Sequence, residues 1–367
     1  MGINAQKKPK TLGSIQVLRG VAAIAVVVTH CCGAFVRFHL PSMLARWRQF
    51  SSFGACGVDI FFVISGFIMV YISRNKFGSS KAARDFMGNR IRRVVPLYWF
   101  YTSLMVLVVL AGYVLKKRAV PVALIVSSYL FIPKADWTTH QIEVLLRQGW
   151  TLEYEMLFYL LFALWLAVSP LRKARLYQGV LLVFMILGFA VSRLERHNSA
   201  FAMFAANPIL FEFAFGILIA LLYSSGRFPG RFISKQLLLA SVLGFGITIF
   251  LPLPPQYRVF FWGLPSALLV LGALGLDRGG RKTMPQVLGD WSYSIYLSHL
   301  FVVLPLIAIL RRFSPRTPAQ GDAAILVITV ASVFVGGASY RWVERPMMEW
   351  LNAKKKSARD KLALESV

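Results

Sequence analysis

The sequence predicts an all-α polytopic membrane protein, with about ten transmembrane helices, one short re-entrant or interfacial helix, and both termini cytoplasmic. Three observations carry this. Hydrophobic residues make up 57% of the 367 positions, with a mean hydropathy of +0.61. Charged residues make up 15%, against about a quarter in a soluble domain. The apolar residues fall in runs close to the ~20 residues that cross a bilayer, without the period-two alternation of barrel strands. A soluble enzyme, a disordered chain and a secreted disulfide scaffold are excluded by this composition.

The runs lie at 12–33, 57–73, 94–113, 119–132, 150–169, 177–192, 206–223, 236–252, 259–276, 291–310 and 323–340. The first contains Arg19 and no small-residue cleavage site, so it reads as a retained span and not a signal peptide. Run 119–132 is short and contains Pro121. Positive charge decides whether it crosses. If it does not, 26 Lys and Arg fall inside and 14 outside; if it does, the counts become 18 and 22. Basic residues concentrate in cytoplasmic loops, so 119–132 is left uncrossed. The chain then divides into a cytoplasmic tail over 1–11, a membrane domain over 12–346 and a basic cytoplasmic tail over 347–367.

The formal charge is +26. In a soluble protein this would suggest nucleic acid. In a chain of spans it reads as loop bias, contact with anionic lipid, or a phosphate-bearing ligand, so the expected partners are the bilayer and not nucleic acid. Cys31, Cys32 and Cys56 form no metal-ligand pattern and read as small packing residues.

Ionisable side chains inside spans cost several kcal/mol on insertion scales, so each is a candidate. Arg19 and His30 are eleven residues apart, close to three helical turns. They therefore share one face, ~16 Å apart along the axis, with Ala23 and Val26 between them as the floor of a groove. Either Arg19 snorkels and His30 is an interhelical hydrogen-bonder, or the stripe is functional, with His30 as a general base. Asp59 opens the second span, as a dipole-favoured carboxylate or as the group orienting His30. Glu153 and Glu155 follow Trp150 and point to nearly opposite faces, so one pocket takes only one of them. Glu212 lies deeper and faces other helices. In Tyr293-Ser-Ile-Tyr296-Leu-Ser-His299, Tyr296 and His299 are adjacent on one face, as a wet polar wall or as polar packing. Arg90, Arg93, Pro96 and Tyr98 stand at an inner helix start, as lipid-phosphate contacts or as a clamp for a phosphorylated donor.

These residues together resemble the membrane acyltransferase 3 family over nearly the whole chain, from about residue 12 to Pro346. Its Arg-ten-residues-His element looks like Arg19 and His30, and its Phe-Phe-x-x-Ser-Gly-Phe element looks like Phe61 to Phe67, including Ser65. Its arginine cluster before Pro-x-Tyr is similar to Arg90, Arg93, Pro96 and Tyr98. Its Trp-Ser/Thr-Leu-x-x-Glu element fits Trp150 to Glu155, favouring Glu155 over Glu153. Two further elements fit Tyr293 to His299 and Glu344-Arg345-Pro346. The Asn207-Pro208 to Glu212 run looks most like the ExoZ-like exopolysaccharide O-acetyltransferase branch. The resemblance implies an acyltransferase of a bacterial cytoplasmic (inner) membrane, moving an acetyl group from acetyl-CoA to a saccharide or lipid-linked oligosaccharide, with no metal. Polysaccharide assembly proteins are implied as further partners. It implies Arg19, Arg90, Arg93 and Tyr98 on the donor, and His30 as base. Glu155 or Asp59 would support His30, and Trp150, Ser65, Tyr293, Tyr296, His299 and Glu212 would stand near the acceptor. No SGNH-type domain follows the last span, so the acyl group would reach sugar directly or through a separate protein. The rival class is a saccharide transporter or flippase, which predicts inverted repeats; the hydropathy shows no matching halves.

Overall fold

The computed structural model describes residues 12–47, 53–74, 76, 78–112, 120–137, 141–168, 186, 190, 194, 199–251, 257–277, 283–313 and 315–364. The helices among them are α1 (Gly13–Arg37), α2 (Met43–Arg46), α3 (Cys56–Ser73), α4 (Ser80–Leu110), α5 (Val122–Leu130), α6 (Gly149–Val168) and α7 (Ala200–Ala205). They continue with α8 (Leu210–Ser224), α9 (Arg231–Phe250), α10 (Leu264–Gly275), α11 (Met284–Ser298), α12 (Leu300–Phe313), α13 (Pro318–Ser339) and α14 (Arg345–Leu364). π-helical turns at Val259–Gly263 and Tyr340–Glu344 lead into α10 and α14. A small antiparallel hairpin pairs Lys134–Asp136 with Gln141–Glu143.

Six of the described helices are long and apolar enough to cross a bilayer, and a bent pair, α11 with α12, makes a seventh. The chain is thus an all-α, multi-span membrane protein. α8 and the Val259–Gly275 segment are shorter apolar helices. The predicted span 177–192 lies outside the described residues apart from Ile186 and Ala190.

Small residues let the helices approach closely, as membrane helix packing requires where lipid removes the hydrophobic drive. α1 packs most extensively on α11, and a Cβ on Gly289 would meet the Gln16 carbonyl. α3 packs as extensively on α8, where a Cβ on Gly66 would meet the Phe213 carbonyl. The start of α1 is fixed by Asp277, which accepts from the Ser14 backbone N–H (2.9 Å) and hydroxyl (2.7 Å). Such a carboxylate satisfies donors that an α-helix leaves unpaired at its N-terminus. Large apolar side chains such as Leu243, Phe250, Val327 and Phe334 are exposed, as lipid-facing surfaces are.

The structure corrects two expectations. α4 begins at Ser80, so Arg90, Arg93 and Pro96 sit inside a 31-residue helix and not at its start. Its first turns are too polar to register as an apolar run. The predicted run 291–310 is two helices, α11 and α12, bent by 60° at His299. The polar tail is helical: the last predicted run leads through a π turn into α14, which reaches Leu364. Run 119–132, by contrast, forms only the nine-residue α5, about 14 Å long against a hydrocarbon core of about 30 Å. It stops at Phe131, whose φ is +56°.

Candidate active site

A cavity of about 320 Å³ opens between α1, α3, α4, α6 and α11. Its polar lining includes Arg19, Arg90, Arg93, Glu155, Tyr159 and Tyr293, and its apolar lining includes Phe61, Phe62, Ile64 and Ile68. Five helices far apart in sequence therefore converge on one pocket with cationic and apolar walls. Arg90 is stacked over the rings of Phe86 and Tyr159, each 5.4 Å away. Its buried Nε has no hydrogen-bond partner among the described residues. Arg93 stands 4.0 Å from Glu344, which accepts from the Ser294 hydroxyl at 2.7 Å. Among the described residues, the Arg19 guanidinium donates to the Gln16 side chain, at 3.4 Å. Guanidinium groups with spare donors are suited to phosphate oxygens.

Glu155 faces this cavity and accepts from the Ser65 hydroxyl (3.2 Å) and from the Tyr159 hydroxyl one turn on. Glu153 points elsewhere, buried with neither carboxyl oxygen hydrogen-bonded. Tyr293 lines the cavity and donates to the Val94 carbonyl at 2.7 Å. A second, smaller cavity of about 220 Å³ shares Ile72 and Arg90 with the first and is lined by Lys76, Lys81, Asp85 and Asn89.

Beyond the cavity lies a pair of imidazoles. His30 Nδ1 is 2.9 Å from His299 Nε2, and the rings stack with centroids 4.8 Å apart. His299 is fully buried at the α11–α12 bend, whereas His30 is partly exposed. Gly33, one turn from His30, is exposed with open space where a Cβ would stand. The cavity lining ends at Phe61, Thr151 and Tyr296. The Tyr296 hydroxyl bonds Thr151 (2.7 Å) and the Gln148 carbonyl (3.0 Å), and its ring lies 6.2 Å from that of His299. The expected groove along α1 is therefore not there, because Ala23 and Val26 are buried against neighbouring helices. The pocket runs beside α1 instead, and His30 is not among its lining residues.

Other expected residues lie apart from the cavity. Asp59 does not orient His30. Its carboxylate is held by Arg258 through Nε (3.0 Å) and a terminal nitrogen (2.6 Å), with Glu212 buried beside the pair. Tyr98 does not offer a ring to a donor: it is wholly buried, packs on Phe131 and donates to the Ser128 carbonyl at 3.0 Å. It anchors α5. Trp150 packs edge-on against Tyr154 and does not line the cavity.

Three participants escaped the sequence reading. Tyr159 sits four residues after Glu155, a spacing that places the two on one helix face. Glu344 stood only as part of a terminal motif, and Arg258 was not singled out at all. No group of three or more His, Cys, Asp or Glu among the described residues could hold a metal.

An apolar helix bundle enclosing an arginine-lined pocket, with a pair of histidines nearby, defines a polytopic membrane protein with an intramembrane polar site. The chain belongs to the acyltransferase 3 family: the family's sequence profile, described as an acyltransferase domain, matches residues 12–341. It is 33% identical to the exopolysaccharide production protein ExoZ of Rhizobium meliloti over 83% of this chain and 93% of that protein. It is 27% identical to the acyltransferase MdmB of Streptomyces mycarofaciens over 94% and 93% respectively. The O-acetyltransferase OatA of Staphylococcus aureus is 22% identical over 92% of this chain and 57% of its own length. No solved structure matches. The protein is thus a membrane acyltransferase.

Proposed function

We propose that the protein transfers an acetyl group from acetyl-CoA to a hydroxyl of a bacterial surface or exopolysaccharide sugar, with His30 as general base. The observation that carries this reading is the arginine-lined cavity, above all the unpartnered buried Nε of Arg90. Arg90, Arg93 and Arg19 would hold donor phosphates. The adjoining cavity with Lys76 and Lys81 would take the nucleotide end, and the apolar stretch at Phe61, Phe62 and Ile68 the pantetheine arm. Glu155, braced by Ser65 and Tyr159, would hold polar groups of the donor arm or the acceptor.

In the reaction, the sugar oxygen attacks the thioester carbon while His30 removes its proton. The tetrahedral intermediate collapses with cleavage of the C–S bond, and the thiolate leaves with that proton. The acyl group must pass the layer of Phe61 and Tyr296 to reach the imidazole. The open side of His30 at Gly33 supports entry of the acceptor from the face opposite the donor cavity.

The charge distribution supports both termini in the cytoplasm, about ten spans, and residence in the cytoplasmic membrane of a bacterium. Purified protein incubated with radiolabelled acetyl-CoA and a saccharide acceptor tests the reading. Label recovered as sugar ester is expected. Movement of intact saccharide without ester formation would establish the transporter class instead.

A further inference from the structure

The hydrogen bonds around the α11–α12 bend specify which nitrogen of His30 is free. The bend redirects two carbonyls to side-chain donors. Leu297 accepts from Gln148 Nε2 at 2.8 Å, and Tyr296 accepts from His299 Nδ1 at 2.7 Å. The Ile295 carbonyl lies 3.2 Å from the same nitrogen. A carbonyl oxygen only accepts, so His299 Nδ1 carries the hydrogen. In the neutral ring, Nε2 is then a bare acceptor. The atom 2.9 Å from it is His30 Nδ1, which must donate. His30 is left with Nδ1–H and an unprotonated Nε2.

We propose that His299 is a positioning residue that holds His30 in this single tautomer, so that Nε2 is the reacting base and Nδ1 never is. The inference rests on the general-base reading of His30 and adds what sets that base. The backbone carbonyls at the bend do for His299 what a carboxylate does for the histidine of a hydrolytic triad. The bend has a use in this arrangement, because its Tyr296 carbonyl fixes the imidazole of His299. Burial of His299 keeps water from competing for its Nε2.

The test uses the full-length protein, its histidines labelled with ¹⁵N. There are five histidines, so the His30 signal is assignable from a His30→Gln spectrum. The resting protein is expected to show His30 with a protonated Nδ1 and an unprotonated Nε2. His30 found as the Nε2–H tautomer would overturn the proposal, whatever the protein turns over. His299→Phe is expected to lower kcat about tenfold or more, as wrong-tautomer substitutions do. It should leave the acetyl-CoA Kd unchanged and the His30 signal split between tautomers. His299→Gln, whose amide oxygen accepts from Nδ1–H, is expected to restore most of both the kcat and the single tautomer. If His299→Phe keeps the wild-type kcat or a single Nδ1–H signal, the proposal falls. If wild-type protein shows the expected spectrum yet never esterifies sugar, the acyl-transfer reading fails and the tautomer assignment stands.

Discussion

Two regions of this molecule bury guanidinium and carboxylate groups among apolar helices, and they are built differently. At the α3–α8 contact, Arg258 closes on the Asp59 carboxylate, and Glu212 is buried beside the pair with neither of its oxygens hydrogen-bonded among the described residues. Asp59 is 0% exposed, Arg258 19%, and the guanidinium is engaged by both carboxylate oxygens and the Ala55 carbonyl. Around the central cavity the arginines are under-paired. Arg93 has 36% of its side chain exposed and a carboxylate no nearer than 4.0 Å, and Arg90 has an orphan Nε. Buried charge by itself therefore marks either structure or function. Open volume beside guanidinium groups that lack a close carboxylate separates the two.

The contrast breaks first at the imidazole. His30→Ala should lower kcat by about 10²- to 10⁴-fold, the range for loss of a general base, with acetyl-CoA affinity intact. Steady-state kinetics alongside donor titration would check this. A variant that binds and turns over like wild type would remove the histidine from the mechanism.

Arg258→Met is expected to act on stability instead. Removing one partner of a buried pair costs about 3–5 kcal/mol, since the other charge is left buried and alone. A thermal melt in detergent should show a markedly lower Tm, while the fraction that remains folded keeps its donor Kd. Loss of donor affinity without loss of Tm would move this cluster to the functional side.

Arg93→Ala should do the opposite. A hydrogen bond to a charged group contributes about 1.5–3 kcal/mol, which is a roughly 10- to 100-fold weaker acetyl-CoA Kd with little change in Tm. The smallest effect belongs to Tyr98→Phe. It removes one hydrogen bond to Ser128, about 1 kcal/mol, and should leave donor binding untouched. Weakened donor binding in that variant would return Tyr98 to the donor site.

Legibility in the sequence follows the same divide between local and distant. Apolar runs marked most of the spans, because hydropathy reports what lipid will solvate. Helical spacing put Glu153 and Glu155 on opposite faces, the family motif chose Glu155, and Arg19 was conspicuous as a charge within an apolar run. The polar first half of α4 and the tail helix carried no hydropathy signal, since those segments do not need lipid. The partners of Asp59 and His30 lie 199 and 269 residues away, beyond any periodicity. The bend at His299 carries no proline at the break; Pro305 lies further on, inside α12. Tyr98 looked available beside Arg90 and Arg93, but its face of α4 is covered by α5.

The proposed donor site is marked by the under-paired arginines of the cavity and not by the Asp59–Arg258 pair. Titration of acetyl-CoA into purified protein in lipid nanodiscs tests this most directly, using wild type, an Arg90→Ala/Arg93→Ala double variant, and Arg258→Met. Saturable binding by wild type and Arg258→Met, with at least tenfold weaker binding by the double variant, is the predicted result. Equal binding by wild type and the double variant, or no binding by wild type, would contradict it.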